Sequence, residues 1–257
     1  MILDKIIETK KKEVAQLKRQ TTPAYLKKTI AGLEPCRDFR QALQDNACKI
    51  IAEVKCASPS RGRLIEDFDP VEIAGVYEEN GAAAISVLTD EKYFAGHKNH
   101  LMQIRQKTNL PLLRKDFIID EIQIYETRAI GADAILLIVH VLGKKLAEFI
   151  LLSRELGLNP LVEVHTKEEL DLALDAGAEI IGINNRNLDT FQTDIETSRE
   201  LRKRIPEGII VVAESGIKER KDIESLMQAG IHAFLIGEAL ITAPDMGKKL
   251  RVFKGEC

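Results

Sequence analysis

From residue 49 onward the chain alternates short apolar runs with longer amphipathic stretches, and few folds accept that rhythm. The runs are "KIIAEVK" (49–55), "AAAISVLT" (82–89), "LPLLRKD" (110–116), "ADAILLIV" (132–139), "NPLVEVH" (159–165), "EIIGINN" (179–185), "GIIVVAES" (208–215) and "IHAFLIG" (231–237). Several are nearly continuous in Ile, Val and Leu, as strands of a parallel sheet covered by helices must be. Between them lie helical stretches such as "DPVEIAGVYEENG", "DEIQIYETRAIGA", "GKKLAEFILLSRELGL", "TKEELDLALDAGA" and "KERKDIESLMQAG". Pro70 sits near the start of the first and Gly81 just past its end, the asymmetry expected of helix termini. Eight strand–helix units within residues 49–257 predict a closed (β/α)8 TIM barrel. An open doubly wound sheet is the alternative, but the glycine-rich dinucleotide turn expected after its first strand is missing. Residues 1–48 read as an N-terminal helical extension, broken at "TTPAYL" and packed on the barrel or over one mouth. The whole of 1–257 reads as one domain.

A formal net charge of −3 gives no overall basic field, so nothing in the composition supports a nucleic-acid partner. The lysine-rich "KKKEVAQLKR" reads as a solvated helix face. No apolar run approaches the roughly 20 residues that span a membrane, and the charged N-terminus lacks a signal segment. Cys36, Cys48, Cys56 and Cys257 show neither CxxC pairing nor metal-ligand spacing, so thiols in a reducing, cytoplasmic setting are expected. The histidines His97, His100, His140, His165 and His232 are scattered, and neither a metal site nor a nucleophilic triad is expected. His165 reads as a rim residue.

Barrels of this kind place their chemistry at the carboxyl ends of the strands. There the odd residues fall into order. Glu53 and Lys55 end the first run, Lys115 the third, Glu163 the fifth, Asn184 the sixth and Glu214 the seventh, with Arg186 two residues past Asn184. Residues two apart on a strand share a face, so Glu53 and Lys55 aim at one place, as do Asn184 and Arg186. A structural ion pair is the bland reading of Lys55 with Glu53, a snorkelling surface lysine that of Lys115, and a turn cap that of Asn184. Together these structural readings fail, because every residue converges on one mouth and follows a run that must be buried.

"ESGI" (214–217) and "LIGEAL" (235–240) end the last two runs with Ser215, Gly216 and Gly237 before helical starts. The loops after strands seven and eight, with helix N-termini behind them, are the usual phosphate site of this barrel. Ser58 in "SPSRG" adds a hydroxyl, and Glu238 its backbone N–H with the carboxylate turned away. A phosphorylated, anionic small molecule is the expected partner. Phe94 and Phe117 add apolar surface near the mouth and suggest a wall for an aromatic substrate.

The ordered set "IAEVKCASPSRG", "LTDEKYFAGH", "LLRKDFIID", "ADAILLIV", "LVEVH", "GINNRNL", "VAESGI" and "FLIGEAL" resembles the strand-end motifs of the indole-3-glycerol phosphate synthase family. The opening "MILDKIIETKKKEVAQLK" resembles that family's extra helical segment. Cys56 departs from the pattern, standing where the family often has a basic residue. The resemblance implies a lyase of tryptophan biosynthesis that uses no cofactor. It implies ring closure of 1-(2-carboxyphenylamino)-1-deoxyribulose 5-phosphate with loss of carbon dioxide and water. It makes Lys115 the general acid of the condensation and Glu163 its acid–base partner. A lysine in that role near neutral pH needs its pKa brought down by neighbouring cations, for which Arg114, Lys55 and Arg186 are the candidates, or by desolvation. Lys55, held by Glu53, meets the substrate carboxylate. Asn184 and Arg186 position the hydroxyls and the carboxylate-bearing end, and Glu214 orients Lys115 or a hydroxyl. Phosphate falls to Ser58, Ser215, Gly216, Gly237 and Glu238, and the anthranilate ring to Phe94, Phe117, Leu136 and Leu188. A monomer or weak homo-oligomer is expected. Another phosphate-binding barrel isomerase or lyase, and a non-catalytic phosphometabolite-binding barrel, are the alternatives; loss of Lys115 or Glu163 would mark the latter, and both are present.

Overall fold

A computed structural model describes residues 2–187 and 192–256. Eight parallel strands close into a barrel: β1 (Lys49–Val54), β2 (Ala84–Leu88), β3 (Leu112–Lys115), β4 (Ala134–Ile138), β5 (Asn159–Val164), β6 (Ile180–Asn184), β7 (Ile210–Glu214) and β8 (Ala233–Ile236). Each strand pairs with its sequence neighbours, and β1 closes the ring on β8 with Lys49 opposite Ala233 and Ile51 opposite Leu235. All eight expected strands are present, mostly trimmed by a residue or two. The flanking residues belong to helix ends and turns, as at Ala82, whose N–H bonds back to Tyr77 in the preceding helix.

Strand alternation sorts the side chains into two cores. Ile50, Ala52 and Val54 of β1, with Ile85, Val87 and Leu112, face outward against the helices. Ile51, Leu113, Leu136, Leu161, Val212 and Leu235 face inward and fill the barrel. Polar caps start the covering helices where the sequence turns from strand to helix. Asp69 accepts from Val71 N and Glu72 N before the helix Pro70–Glu79, and Asp120 forms a capping box with Gln123 before Glu121–Ala129. Each such cap contributes about 1 kcal/mol. Not expected from the sequence were a small antiparallel pair, Ala57–Ser58 with Gly62–Arg63, and a single-turn helix, Glu91–Phe94, capped by Asp90.

The N-terminal extension forms α1 (Ile2–Gln20), α2 (Pro23–Ile30) and α3 (Phe39–Ala42), with the expected break between the first two. Phe39 of α3 and the adjacent Leu43 join the inner core and plug the barrel's lower end. α1 buries a stripe of Leu3, Ile6, Lys10 and Val14. Lys10 is 3% exposed, its ammonium 2.8 Å from Asp116, 2.9 Å from Asp90 and 2.8 Å from Glu13. Asp90 caps the Glu91–Phe94 turn and Asp116 follows Lys115, so one buried ammonium ties α1 to the loops after β2 and β3. No described helix is long and apolar enough to cross a membrane. Cys36, Cys48 and Cys56 are free thiols. Cys56 is buried and takes no part in lining the cavity at the barrel mouth.

Candidate active site

The inward positions at the carboxyl ends of the strands carry charge in place of the apolar residues below them. Lys115 of β3 donates to Glu163 Oε2 of β5 at 3.2 Å, and its Nζ lies 3.3 Å from Glu214 Oε2 of β7. Lys55, just past β1, lies 3.3 Å from Glu53 Oε1. Room for these groups comes from glycine. A Cβ on Gly182 would fall on Glu214 Oε1, and one on Gly237 on Glu53 Oε1. Any larger residue at either place would push a carboxylate out of the cluster.

Above this floor opens a cavity of about 390 Å³. Every site residue expected from the sequence and described by the structure lines it: Glu53, Lys55, Ser58, Phe94, Lys115, Phe117, Leu136, Glu163, Asn184, Arg186, Glu214, Ser215, Gly216, Gly237 and Glu238. Leu188 lies outside the described residues. On one wall Phe94 and Phe117 stand with ring centroids 6.1 Å apart, and the Lys55 ammonium sits 5.6 Å from the Phe94 centroid. That aromatic wall beside an ammonium suits a flat ring bearing a negative charge. On the other side Ser58 Oγ is buried without a hydrogen-bond partner among the described residues, and Ser215 is left-handed at φ 64°. A non-glycine residue in that region is strained, and such strain collects at ligand sites.

Asn184 serves two ends. Its Oδ1 accepts from the Arg186 backbone N–H at 3.1 Å, the turn cap weighed above, and its side chain also hydrogen-bonds Glu163. The Glu238 carboxylate is 3.0 Å from Arg61 and 4.0 Å from Arg186, so it is partly neutralised beside the serine- and glycine-rich loops.

The electrostatics correct one expectation. Arg114 does not face Lys115. One residue away on the strand, it points outward, buried at 2.9 Å from Glu126 and 3.3 Å from Asp116. Lys115 instead has carboxylates around it. Burial opposes its charge, but Glu214, Glu163 and Glu53 outweigh burial and hold its pKa well above that of an ordinary lysine. Glu163 is buried too, yet Lys115, His165 and Asn184 keep it below the usual carboxylate range. Burial, helped by Glu163 and Glu53 and resisted by Lys115, pushes Glu214 up to about 7. The cluster thus holds one firm cation, one firm anion and one carboxyl poised near neutrality, a separation that suits acid–base work.

His165 is not on the rim. Its side chain is 10% exposed, behind Glu163 at 3.5 Å. Sequence reasoning also missed Arg61, Lys218 and the α1 residues Ile2, Leu3 and Ile6, all of which line the cavity. The apolar spacing of the α1 residues was the available signal. Among the described residues, no group of three or more His, Cys, Asp or Glu side chains is arranged to hold a metal ion.

Residues 3–253 match the family model of indole-3-glycerol phosphate synthase. The indole-3-glycerol phosphate synthase of Desulforamulus reducens is 49% identical over 254 residues, covering 98% of this chain and 96% of that one. That of Chloroherpeton thalassium is 51% identical over 246 residues, covering 94% and 95%. Among solved structures, a 3-hexulose-6-phosphate synthase superposes with a TM-score of 0.63 at 14% identity, covering 80% of this chain and 98% of that one, which speaks for the barrel alone. A family match over nearly the whole length, with relatives about half identical, means that this chain belongs to the indole-3-glycerol phosphate synthase family.

Proposed function

We propose that the chain closes the pyrrole ring of 1-(2-carboxyphenylamino)-1-deoxyribulose 5-phosphate, releasing carbon dioxide and water to give indole-3-glycerol phosphate in tryptophan biosynthesis. The observation that carries this reading is Lys115, held between Glu163 and Glu214 at the floor of a cavity with an aromatic wall on one side and serine- and glycine-rich loops on the other. The phosphate fits against Ser58, Ser215, Gly216, Gly237 and the Glu238 backbone. The anthranilate ring lies against Phe94 and Phe117, with Leu136 beneath and its carboxylate toward Lys55.

In the condensation, the ring carbon attacks the ketone and the carbonyl oxygen becomes an alkoxide. Lys115 protonates it. Its raised pKa does not prevent this, because an alkoxide is a far stronger base than any lysine. In the empty site the same raised pKa keeps the proton in place until such a base forms. Carbon dioxide then departs and its electrons restore the aromatic ring. Dehydration follows, in which one group protonates the leaving hydroxyl and another takes a proton from the adjacent carbon; Glu163, Lys55 and Lys115 lie within the cluster for these transfers. Glu53 and Glu214 hold the two lysines, while Asn184 and Arg186 orient the substrate. We assign the reaction to the cytoplasm, to a monomer or weak homo-oligomer, without an organic cofactor.

The test is formation of fluorescent indole product from this substrate by wild type and Lys115→Ala, in buffer with a chelator. Wild type should form product, and the variant should be slower by about 10²–10⁴-fold, the range for loss of a general acid. A well-folded wild type without product would sink the reading.

A further inference from the structure

The inference here rests on the reaction proposed above, whose proton balance is not zero. The substrate's aryl carboxylate is ionised and leaves as carbon dioxide. The carbonyl oxygen takes one proton on condensation, and the resulting hydroxyl takes a second on leaving as water. One proton comes back from the carbon beside the nitrogen. Two enter and one returns, so each turnover consumes one proton, while the substrate itself covers the mouth.

Behind Glu163 the structure holds a group suited to supply it. His165 sits two residues along from Glu163 and shares its face of β5. Its Nε2 is buried, has no hydrogen-bond partner among the described residues, and lies 3.5 Å from Glu163 Oε1. On the far side its Nδ1 lies 3.3 Å from Glu169 Oε2, and the same oxygen accepts the His165 backbone N–H at 2.7 Å. The other Glu169 oxygen is 3.1 Å from Nδ1 of His140, a ring 53% exposed to solvent. Glu163 Oε2, meanwhile, accepts from Lys115. The imidazole therefore bridges a carboxylate of the reaction cluster and a second carboxylate outside the cavity. Glu169 itself is not among the cavity's lining residues.

We infer that His165, held as an imidazolium between Glu163 and Glu169, stores the proton that each turnover consumes and releases it to Glu163. In that step the Nε2–H bond breaks and the proton bonds to Glu163 Oε1. The ring is left neutral, with its Nδ1–H still on Glu169. Glu163 passes the proton on to the departing hydroxyl and returns to a carboxylate. Between turnovers, with the cavity open to solvent, a proton returns to Nε2 by way of Glu163, which lines the cavity.

The groups facing the ring favour its charged form. They are Glu163 on its own strand, Glu169 from the helix Lys167–Asp175 and Glu214 from β7, with Lys115 beyond Glu163 and His140 beyond Glu169. Burial works against the imidazolium, but Glu169, Glu163 and Glu214 outweigh it and raise the ring's pKa above that of free histidine. His165 and Glu169 act through Glu163 and are positioning residues.

The experiment is kcat against pH at saturating substrate for wild type, His165→Asn and Glu169→Gln, with folding checked by circular dichroism and the ring followed by 15N NMR. Wild-type kcat should fall on an alkaline limb that tracks His165 deprotonation. His165→Asn should lower kcat at neutral pH roughly 10- to 100-fold, below the span of a direct general acid, with KM little changed and the limb gone. Glu169→Gln should keep the limb but move it to lower pH. A His165→Asn enzyme that keeps the wild-type limb, at full or reduced kcat, overturns the proposal. So does a loss confined to KM. A wild type without turnover would take down the functional reading itself. The 15N titration still separates the two ideas, because a His165 pKa at or below the free value, or one unmoved in Glu169→Gln, defeats the proton store whatever the reaction.

Discussion

Burying an ammonium among carboxylates is costly unless each charge is answered, and at Lys115 the count is uneven: one cation faces Glu163 and Glu214 directly, with Glu53 nearby. Two carboxylates cannot both ionise comfortably beside one ammonium. Glu163 has the further support of His165 and Asn184 and stays ionised, so Glu214 takes the strain and is pushed up to about 7. The sign of the stability effect follows. Between the ordinary glutamate value near 4.3 and about 7, the folded protein holds a proton that the unfolded chain has released. This site's contribution to stability therefore falls as pH rises through that window. Glu214→Gln should flatten that part of a urea-midpoint profile between pH 4.5 and 7.5 relative to wild type, and an unchanged slope would mean that Glu214 ionises normally. Much at this scale was legible beforehand. A charged residue ending an apolar strand stands out in sequence, and Glu53, Lys55, Lys115, Glu163 and Glu214 did. Arg114 and His165 were misplaced although their partners are near in sequence, because those contacts form only once a strand packs against the helix that follows it. Glu126 sits in a helix, and Glu169 had no reason to be singled out until β5 and the helix after it were side by side.

At the scale of elements, α1 shows how a pattern can be legible and its content not. The amphipathic spacing gave the helix, but the buried stripe Leu3, Ile6, Lys10, Val14 contains a lysine where an aliphatic residue is expected. Asp90 and Asp116, which answer it, lie 80 and more residues away, in two different loops. Burial opposes the Lys10 charge, but Asp116 and Asp90 raise its pKa well above the ordinary lysine range. Removing the ammonium would leave the buried Asp90 without its counter-ion and Asp116 with Arg114 alone, a loss typically of about 3–5 kcal/mol. Lys10→Met should thus lower unfolding stability by about that much. It should also reduce kcat/KM, because Asp116 adjoins Lys115 and Phe117 while Asp90 caps the turn carrying Phe94. Chemical denaturation and steady-state kinetics check both halves. A stability loss with unaltered kinetics would make α1 a brace that leaves the site untouched. The acid side follows from Asp116, which is buried yet held below the usual range by Arg114 and Lys10. Its contribution is present above the ordinary aspartate value of about 3.9 and is lost as pH falls through its lower folded value.

For the whole molecule, the alternation of eight apolar runs with helices left one economical architecture, and the barrel's interior then divides by height. Leu113, Leu161 and Val212 make an apolar lower filling, and the charged cluster lies on top of it. What the sequence could not display is that the upper layer needs emptiness as well as charge. Gly182 read only as part of a strand and Gly237 as part of a phosphate-binding loop, yet each also vacates the space that a carboxylate occupies. Stability and activity should therefore separate by layer. Leu161 is fully buried below the cluster, and Leu161→Ala should cost about 2–5 kcal/mol while leaving kcat/KM within a few fold. Gly182→Ala adds a single methyl that falls on Glu214 Oε1 and displaces the carboxylate that positions Lys115. A misplacement of about 1 Å can reduce rate 10²-fold, so Gly182→Ala should depress kcat far more than it lowers the thermal midpoint. Measuring both quantities on both variants decides the matter. If Gly182→Ala retained full kcat, Glu214 would have room to move without consequence, and its contact with Lys115 would count for packing alone. The opposite pair of results, rate lost above and stability lost below, would mean that the two halves of one barrel answer to different demands on the same eight strands.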